Sequence, residues 1–249
     1  MSKWSVKCLA AAAAAGLMLG SVLPASAEES MIRRYETSQP VTSVVADVEN
    51  ADLVIRKGTG NTIQVDSAAD ARGEYSYDIN LKDGVLTVRV EAIEGEKIKP
   101  IHIPVIHVTV MGDAVVCENE ITITLPEAVY EKIEGKTHNG SITASEVEAE
   151  TLSLDSANGN VTLENTRGVK VQAKTTNGGI HLYETYGLDY HLNTRNGNIQ
   201  GTLAGTKADY RLEVEARNGR SNLANQEGGG VASGSFRVTN GSINLRFTG

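Results

Sequence analysis

Between residues 41 and 125 apolar and polar side chains alternate with a period of two. The stretches 44–48, 52–56, 62–65, 86–90 and 121–125 all follow it, as in Leu86-Thr87-Val88-Arg89-Val90 and Ile121-Thr122-Ile123-Thr124-Leu125. Such alternation of β-branched with polar residues predicts half-buried strands. Turn residues separate them at Gly58 and Gly60, at Asp83-Gly84 and at Gly112-Asp113. No long helical period appears, and residues 126–132 are the one place where a short helical turn is expected. Residues 91–104, with Gly95, Pro100 and Pro104, interrupt the strands and predict a loop, because proline cannot donate within a central ladder. That loop is either a place for binding residues or an insertion without a role.

The second half of the chain is an internal repeat. Asn-Gly pairs at Asn139-Gly140, Asn158-Gly159, Asn177-Gly178, Asn196-Gly197, Asn218-Gly219 and Asn240-Gly241 are spaced by 19, 19, 19, 22 and 22 residues. A period near 19 is too short for helical repeats or propeller blades and fits one coil of a β-solenoid. Three and five residues after each Asn the chain is mostly apolar, as at Ile180 and Leu182. Six and four residues before it the same holds, as at Leu152 and Leu154. Positions two apart share one face of a strand, so both pairs point inward. A second glycine recurs at Gly168, Gly187 and Gly205 and predicts another corner. Each coil then reads strand, Asn-Gly corner, strand, Gly corner. The corner pairs are expected to use positive φ, with Asn side chains stacked along the axis about 4.8 Å apart. A regular short period favours coils stacked in chain order over a meander of hairpins, with the longer last spacings marking a wider loop near a terminal cap. The fold class is all-β, a β-solenoid resembling a parallel β-helix. Residues 41–130 form its N-terminal portion and 131–249 the Asn-Gly coils, continuous with it.

The segment 121–142, Ile-Thr-Ile-Thr-Leu-Pro-Glu-Ala-Val-Tyr-Glu-Lys-Ile-Glu-Gly-Lys-Thr-His-Asn-Gly-Ser-Ile, leads into the Asn-Gly-x-Ile/Val coils. With them it resembles the "putative adhesin" family of bacterial envelope proteins, also described as LiaG-like domains of unknown function, over residues 41–249. The resemblance implies an all-β, right-handed solenoid-like fold and a cell-envelope setting. Its motif is structural and contains no catalytic residue.

Residues 1–27 set the compartment. Lys3 and Lys7 precede an apolar run from Cys8 to Leu23, and Ala25-Ser26-Ala27 ends it just before Glu28-Glu29. This pattern predicts a secretory signal cleaved after Ala27, and the run is shorter than the roughly 20 residues a membrane span prefers. No integral span is expected after cleavage. Residues 28–40 show no period and are expected to form a flexible leader. Removal of the signal takes away two lysines and no acid, which leaves 21 basic against 31 acidic residues. That balance argues against nucleic acid as a partner, since its phosphates reward clustered Lys and Arg. Cys117 is then the sole cysteine, in an apolar stretch, so no internal disulfide is expected and stability must come from packing.

Candidate chemistry is sparse. His102, His107, His138, His181 and His191 have no metal-site spacing. The acidic residues Glu146, Glu148, Glu150, Asp155, Glu164, Asp189 and Asp209 do not fall in register as the paired carboxylates of a polysaccharide-cleaving β-helix would. The calcium-binding nonapeptide is absent, and no nucleophile elbow, Walker loop or dinucleotide fingerprint is found. No cofactor is expected. Arg167, Arg195, Arg217 and Arg220 lie near the corners at Asn158, Asn196 and Asn218. Of these, Arg195, Arg217 and Arg220 form the candidate binding strip for an anionic envelope polymer, beside the alternative of charge balance within an acidic surface. The reading is a secreted, non-catalytic module that binds an envelope polymer, a glycan or a surface protein. A carbohydrate-active enzyme on a β-helix and an accessory to envelope-stress sensing are the alternatives.

Overall fold

A computed structural model describes residues 32–68, 75–93, 108–110, 113–115, 120–227 and 229–249. The expected signal, residues 28–31, residues 94–104 of the expected loop, His102, His107 and Cys117 lie outside the described residues. The N-terminal part contains β1 (Ile32–Thr37), β2 (Ser43–Val48), β3 (Asp52–Lys57), β4 (Ile63–Ala68), β5 (Tyr75–Lys82), β6 (Val85–Ala92), β7 (Val108–Val110), β8 (Asp113–Val115) and β9 (Glu120–Leu125). The repeat contains β10 (Val129–Asn139), β11 (Ile142–Ser145), β12 (Glu148–Asn158), β13 (Val161–Glu164), β14 (Arg167–Asn177), β15 (Ile180–Asn196), β16 (Ile199–Leu203), β17 (Tyr210–Asn218), β18 (Ala232–Asn240) and β19 (Ile243–Phe247). Apart from a 3-10 turn at Lys207–Asp209, the described elements are all strands.

Two of these elements correct the sequence reading. Part of the expected leader is strand β1, paired antiparallel with β4, where Arg34 Nε donates to Asp66 Oδ1 at 2.6 Å and Tyr35 packs on the core. The helical turn expected at 126–132 is absent, because β10 already begins at Val129 and buries Tyr130. The expected loop also starts later, since Glu91 and Ala92 belong to β6.

In the repeat, a long strand alternates with a short one, as in β10 with β11 and β12 with β13. The long face runs β5, β6, β2, β10, β12, β14, β15, β18, β17, and the short face runs β1, β4, β9, β3, β11, β13, β15, β16, β19. Pairing within both is parallel except for β1 with β4, β4 with β9, and β5 with β6. β15 turns the corner and belongs to both faces. The order along the axis departs from chain order twice. The β2–β3 coil lies between β6/β9 and β10/β11, and the C-terminal β18 is inserted between β15 and β17. β18 brings Phe236 and Val238 to fully packed positions, whereas β17 alternates its apolar residues with Arg211, Glu213 and Glu215 and forms the charged edge. The segment after β17 folds back on that edge, where Gln226 exchanges backbone hydrogen bonds with Leu212 and Asn225 Oδ1 accepts from the Val214 N–H.

The Asn side chains are hydrogen-bonded in a column, and the glycines differ from the positive φ expected of the corner pairs. Asn139 Nδ2 donates to Asn50 Oδ1, Asn158 to Asn139, Asn177 to Asn158, Asn196 to Asn177, Asn240 to Asn196 and Asn218 to Asn240, at 2.5 to 2.8 Å. Among the six corner pairs only Gly241 has positive φ, at 143°. Glycine is required by close approach: a Cβ on Gly159 would lie 2.0 Å from Gly140 O, and one on Gly178 2.0 Å from Gly159 O. Behind four of the six corners a side-chain hydroxyl secures the carbonyl. Thr137 Oγ1 donates to Ala51 O, Ser156 Oγ to Gly140 O, Thr175 Oγ1 to Gly159 O and Thr194 Oγ1 to Gly178 O, each at 2.8 Å. The second corner is built by Glu146, Asn165 and Glu184 in the left-handed region, at φ 56°, 49° and 50°. Gly168 and Gly187, read as corner residues, are strand residues of β14 and β15; a Cβ on Gly187 would meet the Tyr190 ring at 2.8 Å.

Inward positions from both faces form one core along the axis, including Leu53, Ile133, Leu152, Leu163, Val171, Leu182 and Ile199, all fully buried. Toward the C-terminal end it becomes aromatic, with the Tyr190 ring 6.1 Å from Tyr210 and 6.5 Å from Phe236. Outside, the long face carries a register column of alternating charge, Arg89, Asp47, Lys136, Asp155 and Lys174. Beside it Glu134 sits between Lys132 and Lys136 with its side chain 16% exposed. Hydrogen bonds from Lys132 and then Lys136 hold its carboxyl below the usual range, against the opposing effect of partial burial.

Three outcomes follow from this packing. Leu182→Ala is expected to cost about 2–5 kcal/mol in urea unfolding, whereas Lys174→Ala, which removes an exposed pair, should cost under about 1 kcal/mol. Gly178→Ala should cost at least ~1–3 kcal/mol, because its Cβ meets backbone that no rotamer can move away. Glu134 stabilises fully above the ordinary carboxylate pKa of about 4.3 and loses that contribution as pH falls through its lowered folded value. Glu134→Gln should therefore flatten the acid limb of a stability-against-pH curve by roughly 0.2–1 kcal/mol.

Candidate functional site

The basic strip takes its place from the coil order. Arg195 and Arg217 each precede a rung of the Asn column, and both register with Thr239 of β18, one from each side. They are two axial steps apart, about 10 Å, where chain order would have set them on adjacent coils. Arg217 Nε donates to Glu215 Oε1 at 2.7 Å, a hydrogen bond that raises the guanidinium pKa. Arg220 lies across the corner, exposed, with its carbonyl accepting the Ile243 N–H at 2.9 Å. The three arginines thus bracket the last rungs, Asn196, Asn240 and Asn218. Arg167 does not join them. It stands at the opposite corner, 6.0 Å over the Tyr186 ring.

The histidines and carboxylates are dispersed. His138 is exposed beside Asn139 on the long face, His181 is on the short face against Gln200 Nε2 at 3.0 Å, and His191 meets Asp189 at 3.0 Å. Asp155 pairs with Lys174 at 3.1 Å, Glu146 with Lys57 at 3.6 Å, and Asp209 accepts from the Thr206 N–H and hydroxyl. Burial pushes the Asp189 carboxyl up, but the Ser233 hydroxyl and His191 outweigh it and hold it low. Backbone and hydroxyl donors of Thr206 lower Asp209, and Arg217 lowers Glu215. The displaced carboxyls described here thus all move downward, toward the anion, whereas a general acid at neutral pH needs the opposite shift. Among the described residues no three His, Cys, Asp or Glu side chains group as a metal-ligand set. No helix among them is long and apolar enough to cross a membrane.

A depression on the short face is chemically distinct. It has a volume of about 250 Å³ and is lined by Tyr183, Gln200, Gly201, Thr202, Asn244 and Arg246 over Leu182. Tyr183 is 51% exposed, although its outward position in the period-two pattern calls for a polar side chain. The floor is open because β15 and β16 slip register between Leu182 and Thr185, where Gly201 takes φ 135°. A Cβ there would lie 1.9 Å from Leu182 O. The Thr202 hydroxyl accepts the Glu184 N–H at 3.0 Å and holds the slipped strand. No carboxylate lines this depression, whereas three other grooves among the described residues include Glu127, Glu146 and Glu148, or Asp155, or Asp189, Glu213 and Glu227. Glu164 is one coil away from Tyr183, outside the lining. An aromatic face, two carboxamides, a hydroxyl and a guanidinium can stack on a sugar ring, hydrogen-bond its hydroxyls and pair with an acidic substituent. The exposed Tyr183 was a legible signal in the sequence; the slip that opens the floor was not.

The chain is similar to several solved structures. Over 87% of this chain and 100% of the other, it is similar at 10% identity and a TM-score of 0.44 to a "putative cell adhesion protein" from Clostridium sporogenes. A "putative adhesin" from Parabacteroides distasonis aligns over 88% and 98% at 12% identity and a TM-score of 0.38. Another from Parabacteroides merdae aligns over 86% and 96% at 10% identity and a TM-score of 0.38. Curated proteins give no match. The family model for Toastrack DUF4097 matches residues 41–249, which span the coils, both sets of corners and the short-face depression. On that match the chain belongs to the Toastrack DUF4097 family.

Proposed function

We propose that this chain is an exported, non-catalytic binding module of the bacterial cell envelope, wound as a right-handed solenoid, that holds an anionic glycan polymer on its short face. The observation that carries the reading is the carboxylate-free depression formed by Tyr183, Gln200, Thr202, Asn244 and Arg246. In a chain with 31 acidic residues, a guanidinium and an aromatic face without a lining carboxylate select an acidic, ring-containing ligand. Its volume lies below the roughly 300–1,000 Å³ of small-molecule pockets. One sugar residue of a longer polymer therefore suits it better than a free metabolite. Stacked coils repeat every ~4.8 Å, so a polymer lying along the axis meets further polar side chains such as His181 and Thr162. Cleavage after Ala27 and release of residues 28–249 belong to this reading.

The basic strip of Arg195, Arg217 and Arg220 supports a second reading, in which the polymer is held by charge at the Asn-Gly corner. Arg217 is already engaged by Glu215, which weakens that strip relative to Arg246. The two are separable by retention on immobilised teichoic acid at two salt concentrations, with a neutral glucan as control. Tyr183→Ala and Arg246→Ser are each expected to lower affinity for the anionic polymer by roughly tenfold. Arg195→Ser with Arg217→Ser should change it by under about threefold, and wild-type retention should fall as salt rises. Loss in the second pair alone would move the site to the corner. Binding indifferent to both would remove the polymer-binding reading, and release of sugar ends by the protein would replace it with catalysis.

A further inference from the structure

Six Asn-Gly pairs expose one chain to six chances of a spontaneous reaction. The glycine backbone nitrogen, having lost its proton to base, attacks the side-chain carbonyl carbon of the preceding Asn. A C–N bond forms, the bond to the carboxamide nitrogen breaks, and ammonia leaves with a proton from solvent. Water then opens the resulting succinimide to aspartate, or to the isomer whose backbone passes through the former side-chain carbon. Base catalysis and water are the sole requirements, and a glycine nitrogen has no neighbouring Cβ to shield it.

The solenoid treats the six pairs unequally. The N–H groups of Gly140, Gly159, Gly178 and Gly197 each donate to the carbonyl of an Asn on the next coil, Asn158, Asn177, Asn196 and Asn240 in turn, at 3.0 Å. Gly241 donates to Asn218 O at 3.2 Å. The Oδ1 atoms of Asn139, Asn158, Asn177, Asn196 and Asn240 each accept the Nδ2 of the following rung. In five pairs, then, the next coil holds both the nucleophile and the carboxamide. The sixth pair, Asn218-Gly219, belongs to the outermost coil because β18 is inserted inside it. Among the described residues nothing accepts the Gly219 N–H and nothing donates to Asn218 Oδ1, and both residues are exposed.

We infer that Asn218 is a spontaneous modification site, converted through the succinimide to aspartate and its isomer, while the other five pairs are protected by the stack. The product cannot donate to Asn240 Oδ1, so the terminal rung is lost. It also places a carboxylate between Arg217 and Arg220 and cancels charge in the basic strip.

The test is a time course on the intact folded chain at mildly alkaline pH, read by peptide mapping for replacement of a carboxamide NH2 by OH. Opening even one backbone hydrogen bond slows attack by about a decade, so Asn218 should convert at least roughly tenfold faster than any other corner Asn. In strong denaturant the six rates should converge, which assigns the difference to the fold. Ammonia release from folded Asn218→Ser should drop to the background of the remaining pairs. Preferential conversion at another corner, uniform rates in the folded chain, or an intact Asn218 while the denatured chain reacts would each overturn the inference.

Discussion

At each Asn-Gly corner the carbonyl oxygen of one coil fills the space that a Cβ on the next would need, within 1.7 to 2.1 Å across the six glycines. The backbones can approach that closely only if glycine follows Asn, and the approach brings the Asn carboxamides into line. Buried Thr and Ser hydroxyls then reach four of these carbonyls from the core side. An unsatisfied buried carbonyl would be costly, and at these four corners the hydroxyl supplies a donor. The corner therefore sets the register of both faces at once, since a slip of one residue would break the carboxamide column, the hydroxyl bonds and the glycine stack together.

A structure built this way has a uniform middle and two irregular ends. In the middle, core positions repeat and outward positions vary freely, which is why the long face can carry a charge column of alternating sign without disturbing the interior. The N-terminal end closes with antiparallel pairs, and the C-terminal end with the charged strand β17 and the folded-back segment at Asn225 and Gln226. An open parallel edge would invite pairing with another chain. Inserting β18 beneath β17 also places Phe236 inside, against Tyr190, in a core that Tyr210 shares.

Both proposed chemistries arise where this regularity is interrupted. The register slip at Gly201 opens the floor beside Tyr183, and the end of the stack leaves Asn218-Gly219 without the partner that every earlier pair has. Glu134, Asp189, Asp209 and Glu215 are hydrogen-bonded and displaced toward their ionised forms, so they serve as ion-pair and hydrogen-bond partners.

The amino-acid pattern by itself determined the all-β class, the coil period, the inward residues and the Asn column, because each depends on spacing along one strand or one repeat. Thr137, Ser156, Thr175 and Thr194, two residues before their Asn, were equally visible, yet their role depends on a carbonyl from another coil. The reason for the corner glycines was likewise decided by the approach of a neighbouring backbone, as local conformational preference alone suggests positive φ. Coil order was decided by the tertiary structure, since an Asn at the end of β18 stacks equally well on either neighbour by sequence and only core packing and edge charge choose between them. The same holds for the separation of Arg195 from Arg217, the depression under Tyr183 and the exposure of Gly219: each is a relation between coils, and period and composition describe one coil at a time.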